Sequence, residues 1–154
     1  MTTTPAVAAA LTSPPFTTWA RIYTPSPRTA RQARKDVADV LADWRVESLA
    51  AFDATQVVAE LAGNALRHGR VPGRGFLVRV TRGDGRLQVE VDDAAPAAPT
   101  LRRGPDDAED GRGLRIVDAL ADAWGVTPRV GGIGKTVWAV IVCGGVAEGC
   151  VGAS

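Results

Sequence analysis

The sequence is poor in aromatic residues, cysteine, histidine and lysine. Of its 154 residues 5% are aromatic, two are cysteine and one is histidine, while Lys35 and Lys135 are the only lysines among 18 basic residues. Two thiols and one imidazole cannot supply the four ligands of a structural zinc site. We therefore expect Cys143 and Cys150 to be free thiols in a reducing cytoplasm.

The sequence also lacks an excess of charge and a long apolar run. Its 18 basic and 17 acidic residues leave a net charge of +1, so no overall field attracts nucleic acid or an anionic membrane. No apolar run approaches the roughly 18 residues of a membrane span. Residues 1–15 carry no basic segment of the kind that opens a secretory signal. We expect a cytoplasmic protein that contacts neither nucleic acid nor membrane.

The residues that are present suit one folded domain, with 45% hydrophobic and 23% charged. Apolar periodicity predicts five strands and three helices. The predicted strands are 16–23, 75–82, 86–92, 126–130 and 135–142. The predicted helices begin at Pro27, at about Asp53 and at Gly113, and the last two end at His68 and Gly125. Because helices and strands do not alternate strictly, this order favours a two-layer α+β sandwich over a doubly wound parallel sheet.

The ends and one internal segment do not follow this periodicity. Residues 1–16 are predicted to form a flexible N-terminal tail, 17–142 the folded domain and 143–154 a C-terminal tail. Residues 94–111 contain three prolines, a basic pair and an acidic group. A loop of this length inside a compact domain is usually functional.

Two common sites are excluded by spacing, and a third is disfavoured. Gly134-Lys135-Thr136 resembles the end of a P-loop, but the position of the first glycine holds Arg129 and a strand pattern follows. Gly111-Arg112-Gly113 lacks the third glycine of a dinucleotide fingerprint, because Ile116 stands there. His68 has no serine or cysteine near it in sequence with which to form a nucleophilic triad.

One polar stripe stands out on the second predicted helix. Glu60, Asn64 and His68 follow one another at intervals of four residues, which places a carboxylate, an amide and an imidazole on one helical face. A solvated helix face is an equally good interpretation of the spacing alone. Gly63 costs the helix about 1 kcal/mol relative to alanine, which calls for a reason such as the close approach of another group.

Two further segments could contact a ligand. Asp92 and Asp93 end a predicted strand, where a carboxylate can accept a hydrogen bond from an exocyclic amine, although aspartate is also common in turns. Gly111, Arg112 and Gly113 stand at the junction between the long loop and a helix, where free backbone N–H groups suit a phosphate. A flexible entry to the helix is the alternative.

Taken in order, these segments resemble the GHKL (Bergerat-fold) ATPases. More narrowly they are similar to the stand-alone anti-sigma-factor serine kinases and their ATP-binding relatives. The resemblance covers residues 19–142 and rests on four stretches: Glu60 to Gly69, Val91 to Asp93, Gly111 to Val117, and Gly134 to Trp138. It implies a two-layer α+β fold with a mixed, mainly antiparallel sheet, about three helices, and a mobile ATP lid at about 94–112.

The resemblance also implies ATP and Mg²⁺ as cofactors and assigns a role to each matching residue. Glu60 would act as the general base on the incoming hydroxyl or orient a water. Asn64 would ligate Mg²⁺ between the phosphates, and His68 would lie within the ATP site. The remaining nucleotide contacts would come from Asp93 at the adenine amine, Gly111, Arg112, Gly113 and Leu114 around the phosphates, and Thr136 near the adenine. One amide oxygen suffices because Mg²⁺ keeps several waters and takes few protein ligands.

The implied function is that of a protein serine/threonine kinase, which phosphorylates an anti-sigma-factor antagonist and, when free, holds a sigma factor. A homodimer is also implied. The family continues Asp-x-Gly-x-Gly, whereas Asp93 here precedes Ala94, Ala95, Pro96 and Ala97. The alternative is therefore a non-catalytic ATP-binding module that controls a partner protein; the retained Glu60 favours the kinase, and the missing glycines favour the module.

Overall fold

The computed structural model describes residues 16–68, 73–95, 108–129, 131 and 133–143, and for 108–113 only the backbone. Most of both predicted tails, Gly69, and residues 96–107 of the predicted lid lie outside the described residues. The helices and strands, in chain order, are β1 (Thr17–Tyr23), α1 (Pro27–Asp43), α2 (Ser48–His68), β2 (Phe76–Gly83), β3 (Arg86–Asp93), α3 (Ala108–Leu120), β4 (Ala123–Pro128) and β5 (Lys135–Val142).

The strands form one sheet in the order β1-β2-β3-β5-β4, and each neighbouring pair is antiparallel. Alternate residues of the central strands are buried, which places all three helices on one face of the sheet. Helix α2 contacts α1, α3, β2, β3 and β5. The predicted two-layer α+β sandwich is confirmed.

Helix α1 forms for the reasons that its sequence indicates. The Ser26 hydroxyl accepts from the Thr29 backbone N–H and the Thr29 hydroxyl accepts from the Ser26 backbone N–H, which is a capping box, and Pro27 follows at the first helical position. Ala33, Val37 and Leu41 form the buried stripe. The helix therefore lies with one apolar side on the core.

Helix α2 begins at Ser48 rather than at about Asp53. The Glu47 carboxylate accepts from the backbone N–H groups of Leu49 and Ala50, at 3.1 and 3.2 Å. Two donors of the first turn are thereby satisfied by a glutamate, a residue that is not among the usual N-caps. The sequence pattern missed this start for that reason.

Helix α3 begins at Ala108 and ends at Leu120, whereas residues 113–125 were predicted. Gly111 and Gly113 consequently lie inside the first turns of the helix. Gly125 belongs to β4, where it pairs with Trp138 of β5. A Cβ on Gly125 would lie 2.7 Å from Trp138 Cζ2, so this glycine makes room for an indole ring and does not end a helix.

The core reflects the shortage of aromatic residues. Its largest fully buried side chains are one phenylalanine, three leucines and eight valines. Small alanines on α2, including Ala54, Ala62 and Ala65, are also buried. Burial raises the pKa of the free Cys143 thiol at the end of β5. Within the described ranges, every helix is too short or too polar to cross a membrane.

Candidate functional site

The predicted polar stripe lies on the C-terminal half of α2. Glu60 and Asn64 are half-buried, and His68 is exposed at the last residue of the helix. The Arg67 guanidinium donates to Asn64 Oδ1 at 3.0 Å. The amide oxygen that the resemblance assigns to Mg²⁺ thus accepts a hydrogen bond from a cation one turn later on the same helix.

Gly63 does not make room for a neighbouring backbone. The nearest atom to a Cβ at this position is Arg67 Nη1, at 3.3 Å. This atom is the end of a flexible side chain that can shift by a few tenths of an ångström. Among the described residues, the group that approaches Gly63 most closely is therefore the side chain of Arg67, one turn later on the same helix.

Asp92 and Asp93 end β3 and point to opposite faces of the sheet, as consecutive strand residues do. Asp93 continues the row of Leu87, Val89 and Val91, which faces the helices. Both aspartates are buried, with 8% of Asp92 and 4% of Asp93 exposed. Because burying a charge is costly unless it is paired, each carboxylate needs its own partners.

Lys135 is the partner of Asp93. The two residues face each other across β3 and β5, and Lys135 Nζ lies 2.9 Å from Asp93 Oδ1 and 3.0 Å from Oδ2. The backbone N–H of Ala95 donates to Asp93 Oδ1 at 2.9 Å. The lysine side chain is itself 16% exposed. The sequence pattern does not indicate this role of Lys135, because its contact depends on the register between two strands that are not consecutive in sequence.

Thr136 lies on the other face of the sheet, next to Asp92. Its hydroxyl donates to Asp92 Oδ1 at 2.5 Å, and Arg79 Nη2 lies 3.7 Å from Asp92 Oδ2. Arg79 also pairs with Glu90 at 2.5 Å. The structure therefore separates Thr136 from Asp93 by the thickness of the sheet, and an adenine contact of Thr136 stays a prediction.

Gly134 brings the turn before β5 against the end of β3. Its φ of +87° is one that a residue with a side chain rarely adopts, and a Cβ would lie 2.2 Å from the Asp93 carbonyl oxygen. Gly134 and Thr136, on either side of Lys135, each contact the end of β3. The backbone that carries Lys135 is therefore fixed relative to Asp93.

The remaining predicted ligand residues lie on α3. Gly111, Arg112 and Gly113 belong to its helical backbone, and their side chains lie outside the described part of the structure. Leu114 follows on the same helix and is half-buried. Helix α3 packs against α2, and α2 packs against β3 and β5. The segments that the sequence singled out thus lie on neighbouring elements.

The residues that the structure describes in this region offer few ligands for a metal ion. Among the residues that the structure describes, no three His, Cys, Asp or Glu side chains form a cluster that could hold a metal. Asn64 supplies a single amide oxygen on a helix that borders the Asp93 strand. A single amide oxygen fits Mg²⁺, which keeps several waters and takes few protein ligands.

Comparison with known proteins agrees with this architecture. The family profile described as histidine kinase-like ATPase domain matches residues 23–141. The structure of the RsbU and RsbW domains of Rv1364c from Mycobacterium tuberculosis has a TM-score of 0.63 at 19% identity, over 82% of this chain and 32% of that chain. This chain thus spans about a third of the length of that solved chain.

A second similar structure is the SiaB-SiaC complex from Pseudomonas aeruginosa. It has a TM-score of 0.58 at 16% identity, over 90% of this chain and 97% of that chain. At these identities both likenesses concern the fold. No curated protein matches the sequence significantly. The family profile, in contrast, extends from the end of β1 almost to the end of β5. The chain therefore belongs to the family of histidine kinase-like ATPase domains.

Proposed function

We propose that this chain binds ATP with Mg²⁺ and acts as a protein serine/threonine kinase on an antagonist of an anti-sigma factor. The observation that carries the proposal is the buried Asp93 carboxylate on the helix-facing side of β3, in a chain of this family. The helix that packs on this strand carries Glu60 and Asn64. An acceptor for a base and two groups for phosphate chemistry are thereby present on adjoining elements.

Asp93 recognises the base in this proposal. Among the described residues, its Oδ2 atom has one donor, Lys135, whereas Oδ1 has two, Lys135 and the backbone N–H of Ala95. A carboxylate oxygen has two lone pairs, so Oδ2 can accept a further hydrogen bond from an exocyclic amine. Because the carboxylate is buried, that hydrogen bond would form away from competing water.

The phosphates lie between α2 and the start of α3 in this proposal. Backbone N–H groups at the start of a helix are suited to hold anionic oxygens, and α3 is described from Ala108 onwards. Asn64 would hold Mg²⁺, which when bound supplies neutralisation of the phosphate charge. Arg112 and Leu114 are the further predicted contacts of this end of the nucleotide.

Glu60 is the proposed general base. It lies one turn before Asn64 on the same face of α2 and is half-buried. A carboxylate there can accept the proton of an incoming serine hydroxyl while Asn64 positions the metal-bound phosphates. His68, two turns further on and exposed, is placed at the outer rim of the site.

The test separates binding from transfer. Calorimetry with Mg-ATP is expected to show binding to the wild-type protein, and Glu60→Gln should keep the affinity within a few-fold while labelled phosphate transfer to the cognate antagonist falls at least about 100-fold. Asp53→Asn, which removes a half-buried carboxylate two turns earlier on α2, is the matched control and should transfer normally. Absence of ATP binding at millimolar concentration would overturn the proposal.

A non-catalytic ATP-binding module is the second candidate. The observation in its favour is the turn after Asp93, where the Ala95 backbone N–H is already bonded to the carboxylate and no glycine is present. Nucleotide binding without transfer to any candidate antagonist, unchanged by Glu60→Gln, would select this module.

The partners follow from the same proposal. The similar Pseudomonas protein was solved as a complex of two proteins, and we propose that this chain binds an antagonist protein and a sigma factor in turn, as a cytoplasmic homodimer. Light scattering of the purified chain, alone and with each candidate partner, measures these assemblies. A monomer at all concentrations would overturn the dimer.

A further inference from the structure

We infer that Lys135 reads the base together with Asp93, by donating to the ring nitrogen beside the exocyclic amine. This inference rests on the proposed ATP site and names a specificity residue within it. Lys135 Nζ lies within 3.0 Å of both oxygens of Asp93, on the helix-facing side of the sheet. The pair therefore presents an anionic acceptor and a cationic donor side by side.

The pair has hydrogen-bonding capacity left over. An ammonium has three N–H donors, and the contacts recorded for the described residues direct Lys135 only to Asp93. Asp93 uses three acceptor positions, two for Lys135 and one for Ala95 N–H, out of about four on a carboxylate. One N–H of Lys135 and one lone pair of Asp93 Oδ2 remain for a ligand.

A purely structural role explains this pair poorly. Val91 precedes Asp93 on the same face and Val137 follows Lys135 on the same face, and both are buried apolar residues. Replacing a buried ion pair by apolar residues is often neutral or stabilising, since the desolvation of two charges offsets their attraction. A pair with a buried carboxylate, a partly buried ammonium, an unused donor and an unused acceptor is better explained by a polar ligand.

The order of the groups selects adenine. On its Watson–Crick edge adenine presents an amine donor at N6 and an acceptor at N1, which match Asp93 and Lys135 respectively. Guanine presents an acceptor at O6 and a donor at N1, which is the reverse order. With the ribose held in one place, guanine would bring its carbonyl against the carboxylate and its N–H against the ammonium.

Contacts of the two neighbouring residues fix the position of Lys135 beside Asp93. Gly134 packs on the Asp93 carbonyl oxygen from one side, and the Thr136 hydroxyl bonds Asp92 from the other. Both contacts hold the start of β5 in register with the end of β3. The lysine therefore presents its ammonium beside Asp93 before any nucleotide arrives.

The experiment measures binding of ATP, GTP and 1-deaza-ATP, which carries C–H in place of N1, to the full chain by calorimetry. The wild-type protein is expected to bind ATP about 10- to 100-fold more tightly than 1-deaza-ATP, as the loss of one charged hydrogen bond implies. Lys135→Met should lower the affinity for ATP by the same factor and leave the affinity for 1-deaza-ATP unchanged. It should also reduce the preference for ATP over GTP. Lys35→Met changes the only other lysine, an exposed residue on α1, and should alter none of these affinities.

The outcomes separate the two proposals. Equal binding of ATP and 1-deaza-ATP by the wild-type protein overturns the role of Lys135 and leaves the ATP site standing. A preference for ATP that persists in Lys135→Met overturns it as well. Where thermal unfolding shows that Lys135→Met does not fold, the comparison of ATP with 1-deaza-ATP in the wild-type protein decides by itself, since it needs no variant. Failure of the wild-type protein to bind ATP instead contradicts the proposed function.

Discussion

The carbonyl oxygen of Asp93 occupies the space that a side chain at Gly134 would need. A Cβ on Gly134 would lie 2.2 Å from that oxygen and 3.1 Å from Ala94 Cα, and its φ is +87°. This contact joins the turn before β5 to the end of β3. It explains why a glycine precedes Lys135, although the P-loop pattern that first drew attention to this segment is absent.

Gly134→Ala is expected to destabilise the protein by about 3 kcal/mol or more, since backbone strain adds to a clash with backbone atoms. Gly85→Ala is the matched control. Gly85 also has a positive φ, of +71°, but a Cβ there meets no described atom within 4 Å, so a loss of about 1 kcal/mol is expected. Urea unfolding measures both values. Equal losses of stability in the two variants would show that the close contact between Gly134 and Asp93 adds nothing to the effect of Gly134→Ala.

Thr136→Val tests on which face of the sheet Thr136 acts. The substitution removes the hydroxyl that donates to the buried Asp92 carboxylate, so the free energy of unfolding should fall by about 1.5–3 kcal/mol. Nucleotide affinity should change less than about threefold, whereas Asp93→Asn should weaken it at least tenfold. A comparable loss of affinity in Thr136→Val would support the adenine contact that the family resemblance implies.

Tyr23→Phe should change how stability depends on pH. The Tyr23 hydroxyl and the Arg21 guanidinium both donate to Asp36 Oδ2 at 2.6 Å, and Gln32 donates to Oδ1 at 2.8 Å. Burial alone would raise the pKa of Asp36, but these hydrogen bonds and the charge of Arg21 outweigh it and lower that pKa. Burial, followed by Asp36, raises the pKa of Tyr23 above its ordinary range.

Because the pKa of Asp36 is lowered on folding, its stabilising contribution is present above the ordinary aspartate range and is lost as the pH falls through the folded value. We expect Tyr23→Phe to lower the free energy of unfolding by about 1.5 kcal/mol at pH 7 and by progressively less below about pH 4. Arg21→Gln removes an ion pair whose arginine is 54% exposed, and it should cost less than about 1 kcal/mol. The free energy of unfolding of the wild-type protein and of Tyr23→Phe is measured from pH 2 to 7. A difference between them that does not depend on pH would contradict the role of Asp36.

Gly63→Ala should stabilise the protein by about 0.5–1 kcal/mol. Alanine is the better helix former, and the added Cβ meets only the end of the Arg67 side chain, at 3.3 Å. Ala59→Gly, at a half-buried position one turn earlier, is the reverse control and should cost a similar amount. Thermal unfolding measures both. A loss of stability in Gly63→Ala would show that this glycine serves a contact other than the one with Arg67.

The sequence by itself determined the order of the elements, the capped start of α1 and the two-layer α+β class. These features follow from the period of the apolar residues and from local capping, which act over a few residues. The range of β5 was likewise predicted correctly, as 135–142. The start of α3 was not, because residues with good helical propensity precede the glycines at 111 and 113.

Only the tertiary structure decided which partner each aspartate at the end of β3 has. Alternation along a strand places Asp92 and Asp93 on opposite faces, but it does not say which residues of another strand oppose them. That depends on the register between β3 and β5, whose paired residues Asp93 and Lys135 are 42 positions apart in sequence. A shift of one residue would exchange Lys135 and Thr136 between the two faces, and the packing of Gly134 on Asp93 and the pairing along the whole of β5 prevent that shift.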